Sequence, residues 1–264
     1  MDLGLQGRVA VVAAASEGLG YAAARALAAE GARLAICSRR ADAIERAARS
    51  IGEATGAEVL AVTADVSRAQ DVARLVEAVD RRYGQVDVLV TNAGGPRVGT
   101  FFELSDADWQ AAFDLLVMSV VRMVRGFVPL MRKTGRGGSI LALTSYSLKE
   151  PISGLMLSNT MRAALAGLLK TLSQELGGEG IRVNVIVQGR FDTERVRELD
   201  RIRAQREGIT PEQVVRRYAD QIALRRYGHP DELARVIAFL ASDAASYVTG
   251  AALTIDGGLV KGLL

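Results

Sequence analysis

Two glycines and a pair of arginines offer the clearest chemistry in this sequence. Gly18 and Gly20 close the run Ala13-Ala14-Ala15-Ser16-Glu17-Gly18-Leu19-Gly20, which follows an apolar stretch from Val9 and opens a helical pattern. Glycines at such a turn let the backbone approach a pyrophosphate at a helix N-terminus, where free N–H groups and the dipole favour anions. Ser16, Glu17 and Leu19 share the turn and are candidate contacts. A second apolar run, from Arg33, ends in Ser38-Arg39-Arg40. Binding of unmodified ribose hydroxyls calls for an acid at this place, whereas Arg39, with Arg40 beside it, suits a 2′-phosphate. Together they point to NADP(H) in preference to NAD(H).

Other chemistries are disfavoured by what is scarce. Cys37 is the only cysteine, which excludes an internal disulfide or a cysteine-built zinc site; at the end of an apolar run it is expected to be buried and inert. His229 is the only histidine, so neither a histidine triad nor a two-histidine metal site is expected, and its place before Pro230 suits a helix start. No metal is expected. Net charge is +3, with acids and bases interspersed, as on an ordinary solvated surface. The richest stretch, Glu194 to Arg226, carries Arg195, Arg197, Arg201, Arg203, Arg206, Arg216, Arg217, Arg225 and Arg226 among six acids, Glu194 included. It is either a solvated helical face or a funnel for an anionic substrate. Nothing in it requires a nucleic acid.

The elements that must hold these residues follow from period. Apolar runs from Val9, Arg33, Glu58, Val86, Ser139, Arg182 and Ala251 read as strands. Between them lie amphipathic stretches: Leu19 to Glu30, Ala41 to Thr55, Ala69 to Tyr83, Asp106 to Lys133, Leu157 to Leu176 and Asp231 to Leu240. Strands alternating with helices predict an α/β fold, a doubly wound parallel seven-stranded sheet of Rossmann type in one domain. Pro129 predicts a kink or early end in the long fourth helix. Glu194 to Tyr227 breaks the alternation and reads as a mobile helical lid after strand six. No run is long enough to span a bilayer, and the chain is expected to be cytoplasmic.

Several motifs in order resemble the short-chain dehydrogenase/reductases, from Gly7 to Gly258. The turn ending in Gly20 is similar to that family's TGxxxGxG, with Ala14 in place of the first glycine, a change that need not prevent binding unless the position requires a positive φ. Asp65-Val66 resembles the pair beside the adenine, and Thr91-Asn92-Ala93-Gly94 resembles NNAG. Gln188-Gly189-Arg190-Phe191-Asp192-Thr193 resembles PGxxxT, and Ile255-Asp256-Gly257-Gly258 the C-terminal strand and turn. The resemblance implies cofactor contacts from Asp65, Val66, Asn92, Ala93, Gly94, Gly189, Phe191 and Thr193.

It also implies a serine that orients a carbonyl, a tyrosine that donates the proton and a lysine that lowers the tyrosine pKa and holds the ribose. Ser145 matches the serine. Alignment on Arg162-Ala163-Ala164-Leu165 puts Ser158 at the tyrosine and Arg162 at the lysine, and counting from Trp109 puts Leu116 at an accompanying asparagine. Arg162 is expected to keep the ribose contact; Tyr146 and Lys149, after Ser145, are the nearest substitute donors. The expected activity is NADP(H)-dependent reduction of a small-molecule carbonyl or oxidation of an alcohol, extending to 3-oxoacyl thioesters. The alternative is an NADP(H)-binding sensor or scaffold with little redox chemistry. The resemblance further implies a homo-oligomer, a tetramer or dimer, using the helices Asp106 to Lys133 and Leu157 to Leu176.

Overall fold

The computed structural model describes residues 2–262. Short apolar segments form the strands β1 (Val9–Ala13), β2 (Arg33–Ser38), β3 (Val59–Thr63), β4 (Val88–Thr91), β5 (Gly138–Leu143), β6 (Ile181–Gln188) and β7 (Ala252–Ile255). All pair in parallel, in the order β3-β2-β1-β4-β5-β6-β7. Each parallel pair needs a crossover, supplied by α1 (Gly18–Ala29), α2 (Ala41–Thr55), α3 (Ala69–Tyr83), α4 (Asp106–Phe113), α5 (Ser119–Arg132), α6 (Met156–Gly177) and α9 (Pro230–Ala241).

Alternation along β1 shows how the two faces are filled. Val9, Val11 and Ala13 join Leu75 and Val79 of α3, Phe127 and Met131 of α5 and Leu165 of α6 in one core. Ala10 and Val12 face Leu27 of α1, Ile44 of α2 and Ile237 of α9 in the other. Burying side chains of this size stabilises the fold by about 1.5–3 kcal/mol each, and Phe127→Ala would cost about 3–5 kcal/mol. The edge strands depart from the expected continuous burial: Ala252 and Leu253 of β7 are exposed and most of β3 is half-buried. An edge lacks the neighbour that covers an inner strand. Among the described residues no helix is long and apolar enough to cross a membrane.

The helix expected over Asp106 to Lys133 is two helices joined by a π turn at Asp114–Met118. Pro129 does not end α5, which runs on to Arg132. Irregularity sits instead at the π turn, bridged by Arg122 to Asp114 at 2.7 Å and by Ser119 Oγ to the Leu115 carbonyl at 2.6 Å. Such a turn inserts one residue and so re-aims neighbouring side chains. After β6 the chain forms α7 (Glu194–Glu207) and α8 (Pro211–Gln221), which pack on each other through Ala204, Val214 and Tyr218. His229 caps α9 as expected: its Nδ1 accepts from the Asp231 N–H at 3.4 Å, and Glu232 answers on the His229 N–H at 2.7 Å.

Candidate active site

Beyond the carboxyl ends of the strands lies a cavity of about 780 Å³. Open parallel sheets bind ligands here because the strand order reverses between β1 and β4 and the adjoining loops part. At its β1 end, Ser16, Glu17, Gly18 and Leu19 border the cavity, as do Ser38, Arg39, Arg40, Asp65 and Val66. Gly20 does not; it lies under the turn, where a Cβ would come within 2.3 Å of the Ala14 carbonyl oxygen. Only glycine permits that approach.

Ala14 itself is a correction. It adopts φ +48°, in the left-handed region, so the turn does require the conformation that glycine takes freely. An alanine there costs about 1–2 kcal/mol. Asn92 supports the strained peptide, its Nδ2 donating to the Ala14 carbonyl at 3.5 Å. Glu17 is the N-cap of α1 in extended conformation and makes no side-chain capping bond, so the first-turn N–H groups face the cavity without an internal carboxylate or hydroxyl acceptor. The glutamate instead pairs with Arg40 at 2.9 Å. Arg39 makes no ion pair among the described residues and borders the same cavity. Asp65 is fixed by Ser67, whose N–H and Oγ donate to its Oδ1 at 3.0 and 2.7 Å. A backbone cradle at a helix start with an unpaired guanidinium beside it fits a pyrophosphate and a second phosphate. Cys37, one strand below, is fully buried, and burial pushes its thiol up to about 12, an inert state.

At the β5 end the cavity meets Ser145, Tyr146, Ser158 and Arg162, with Asn92, Ala93 and Gly94 forming the wall between the two ends. Ser145 Oγ accepts from the Ser147 N–H at 3.2 Å, which leaves its own hydroxyl proton for another acceptor. Ser158 and Arg162 stand one turn apart on α6, and Arg162 Nε donates to Ser158 Oγ at 3.1 Å. Burial pushes the Arg162 guanidinium down to about 10. Tyr146, only 9 % exposed, borders the cavity; Lys149 does not. Burial pushes the Tyr146 phenol up, opposed by the Arg190 guanidinium facing it. Leu116 does not line the cavity either. The π turn presents Leu115 and buries Leu116 against Leu157 and Met161 of α6.

Gly189, Phe191 and Thr193 lead from β6 across the cavity to α7, whose Glu194, Arg195, Val196 and Leu199 form its far wall. Arg195 rests over Gly95, where a Cβ would meet its Nη2 at 2.9 Å. Most of the other arginines of this segment are paired outward: Arg197 with Asp192, Arg201 with Glu194, Arg217 with Glu207 and Arg226 with Glu232. The pattern of alternating charge in sequence allowed either arrangement. It did not single out Arg190, which is 8 % exposed, pairs with Asp200, and stacks its guanidinium 3.6 Å over the Tyr218 ring and 4.9 Å from that of Tyr227. Tyr227 donates to the second oxygen of Asp200 at 3.0 Å. This cluster ties α7 and α8 to the end of β6.

Comparison with known proteins places this arrangement. The family model described as enoyl-(acyl carrier protein) reductase matches residues 13–260. Dehydrogenase/reductase SDR family member 4 of Oryctolagus cuniculus is 35% identical over 96% of this chain and 94% of its own length. The 3-oxoacyl-[acyl-carrier-protein] reductase of Thermotoga maritima is 34% identical over 97% of this chain and 99% of its own. L-sorbose reductase from Gluconobacter frateurii, solved with NADPH and L-sorbose, superposes over 100% of both chains with a TM-score of 0.95 at 37% identity. Fold, cavity and sequence agree: the chain belongs to the short-chain dehydrogenase/reductase family.

Proposed function

We propose that this protein is an NADPH-dependent reductase of small carbonyl compounds whose proton donor is Tyr146. The observation that carries the reading is one continuous cavity joining the Gly18 turn and unpaired Arg39 to Ser145 and Tyr146. The turn and the α1 N-terminus would hold the pyrophosphate, Arg39 the 2′-phosphate, and Arg162 the nicotinamide ribose, whose hydroxyls can accept its N–H groups. Bound there, the cofactor supplies the hydride.

The remaining steps fall to side chains. Ser145 donates its free hydroxyl proton as a hydrogen bond to the substrate carbonyl oxygen and so orients it. Ser158, at the position where the family carries tyrosine, is far too weak an acid to protonate the product alkoxide, and Arg162 is committed to the ribose. Tyr146 is a phenol beside a cation, the same electrostatic relation that the family obtains from tyrosine and lysine, displaced here to the loop after β5. It donates its proton to the carbonyl oxygen as the carbon receives hydride. Arg190 holds the phenolate that results. The α7–α8 segment closes the cavity and excludes water. The relatives' NADPH and sugar or 3-oxoacyl substrates support carbonyl reduction as the class. The same reading makes the protein a cytoplasmic homo-oligomer, tetramer or dimer, assembled through α5 and α6.

The test follows NADPH oxidation across a panel of ketones, aldehydes and acyl thioesters. Turnover is expected for wild type. Binding of NADPH without turnover of any compound, together with turnover gained in Ser158→Tyr/Arg162→Lys, would overturn the proposal in favour of a cofactor-binding sensor or scaffold.

A further inference from the structure

Arg162 stands apart from the other buried cation, Arg190, which has Asp200, and from the half-buried ones: Arg8 has Asp87, and Arg182 donates to the Leu240, Ala241 and Ser242 carbonyls at the negative end of α9. Arg162 has neither an acid nor a helix terminus. It is 8 % exposed, and its bonds to Ser158 Oγ at 3.1 Å and the Leu143 carbonyl at 3.5 Å are to neutral groups. Burial alone shifts it; no negative group among the described residues offsets that. An uncompensated buried charge is among the most unfavourable features a fold can carry.

The unused donors point to where compensation comes from. Nη2 of Arg162 has no protein acceptor among the described residues, and it is not sealed in the interior, since the residue borders the cavity. Arg190 borders the same cavity and is equally buried, but its guanidinium is held by Asp200 and its one unpartnered N–H, at Nε, is sealed from the cavity. At the β5 end the unspent N–H edge is therefore that of Arg162. The cofactor does not discharge it: ribose hydroxyls are neutral, and the phosphates belong at the Gly18 turn and Arg39. That turn follows β1, which β4 separates from β5, a span of roughly 9–10 Å across the sheet.

We infer that the substrate carries a carboxylate, bound by Arg162, so that the compound reduced is an oxo-acid. Only the oxo group rests on the reductase reading; the anion site stands on the buried, acid-free guanidinium of Arg162. The lid arginines, paired outward, are not its source. A carboxylate fits because it offers paired acceptors to a planar guanidinium edge and returns the missing charge.

Calorimetric titration of the NADP⁺ complex with short straight-chain oxo-carboxylates and the matching primary amides tests this without turnover. The acids should bind about 10- to 100-fold more tightly than the amides, as a charge-assisted bond contributes. Rising salt should erode that ratio, Arg162→Gln should abolish it and Arg162→Lys should keep part of it. Without ligand, Arg162→Gln should melt a few degrees higher than wild type, because the unpaired buried cation is gone. Equal binding of acid and amide by wild type, or an undiminished ratio in Arg162→Gln, would overturn the inference. If Arg162→Gln does not fold, Arg162→Lys and the salt series decide, and a salt-independent ratio in wild type overturns it. Discrimination without turnover of any oxo-acid would sink the reductase reading and leave the anion site standing; turnover of neutral ketones without discrimination would do the reverse.

Discussion

The two ends of the cavity are built by different means. At the β1 end the contacts are peptide groups at a helix start, held by a close backbone approach at Gly20 and by one unusual dihedral at Ala14. At the β5 end they are side chains, and there Ser158 and Arg162 form a hydrogen-bonded pair one turn apart on α6. A site made of backbone tolerates changes of sequence so long as the turn forms. A site made of side chains changes its chemistry with each substitution, and the proton donor can move to another element while the fold stays the same.

The largest effect that would break this comparison is at Tyr146. Tyr146→Phe should lower kcat for carbonyl reduction by about 100- to 10,000-fold while NADPH affinity stays within about twofold, since it removes a general acid at one end only. The rate should be level through neutral pH and fall only at strongly alkaline pH, because burial raises this phenol above the ordinary tyrosine range. A rate that titrates near neutrality, or survives in Tyr146→Phe, would place the donor elsewhere. Next, Asp200→Asn would leave Arg190 buried without its counterion and should destabilise the protein by about 3–5 kcal/mol, read as a lower denaturation midpoint. A neutral result would mean that the stacked tyrosines suffice.

At the β1 end the effects are smaller. Arg39→Ala should weaken NADPH binding by about 10- to 100-fold and leave NADH unchanged, as loss of one charge-assisted contact to phosphate implies. Equal losses for both cofactors would assign the 2′-phosphate to Arg40, at the expense of its pair with Glu17. Smallest is Ala14→Gly. Relief of the left-handed alanine, less the entropy that glycine adds to the unfolded chain, should stabilise by about 0.5–1 kcal/mol, a rise in Tm of a few degrees. An unchanged or lower Tm would show that the turn is unstrained with alanine.

The same contrast explains what could be read from sequence. Strand and helix periods were legible because the parallel sheet is covered on both faces and every crossover must be amphipathic, and α2 and α3 begin and end where the pattern does. Residues at the β1 end were legible because the loops are short: Arg39 follows β2 at once, Asp65 follows β3 after one residue, and Gly18 opens α1 after a four-residue turn from β1. The π turn was not, because nothing in Asp114-Leu115-Leu116-Val117-Met118 departs from helical period; an extra backbone residue leaves no mark on an apolar run. The positive φ of Ala14 was hidden for a related reason, the residue type being the one that a strained turn would avoid. Arg190 was lost among neighbouring arginines. Its distinction is a set of partners, Asp200, Tyr218 and Tyr227, that only the docking of α7 and α8 brings together.

One contact of α7 bears on the order of events. The helix starts from Thr193, whose methyl lies 3.7 Å from where a side chain on Gly18 would begin, and two residues later Arg195 seats on Gly95. A single helix start therefore leans on the Gly18 turn and on the Gly95 wall of the cavity at once. Opening one doorway opens the other, so on the proposed reading substrate and cofactor share a gate. The kinetics should be sequential, and the release of oxidised cofactor should set the pace whenever the chemistry is fast.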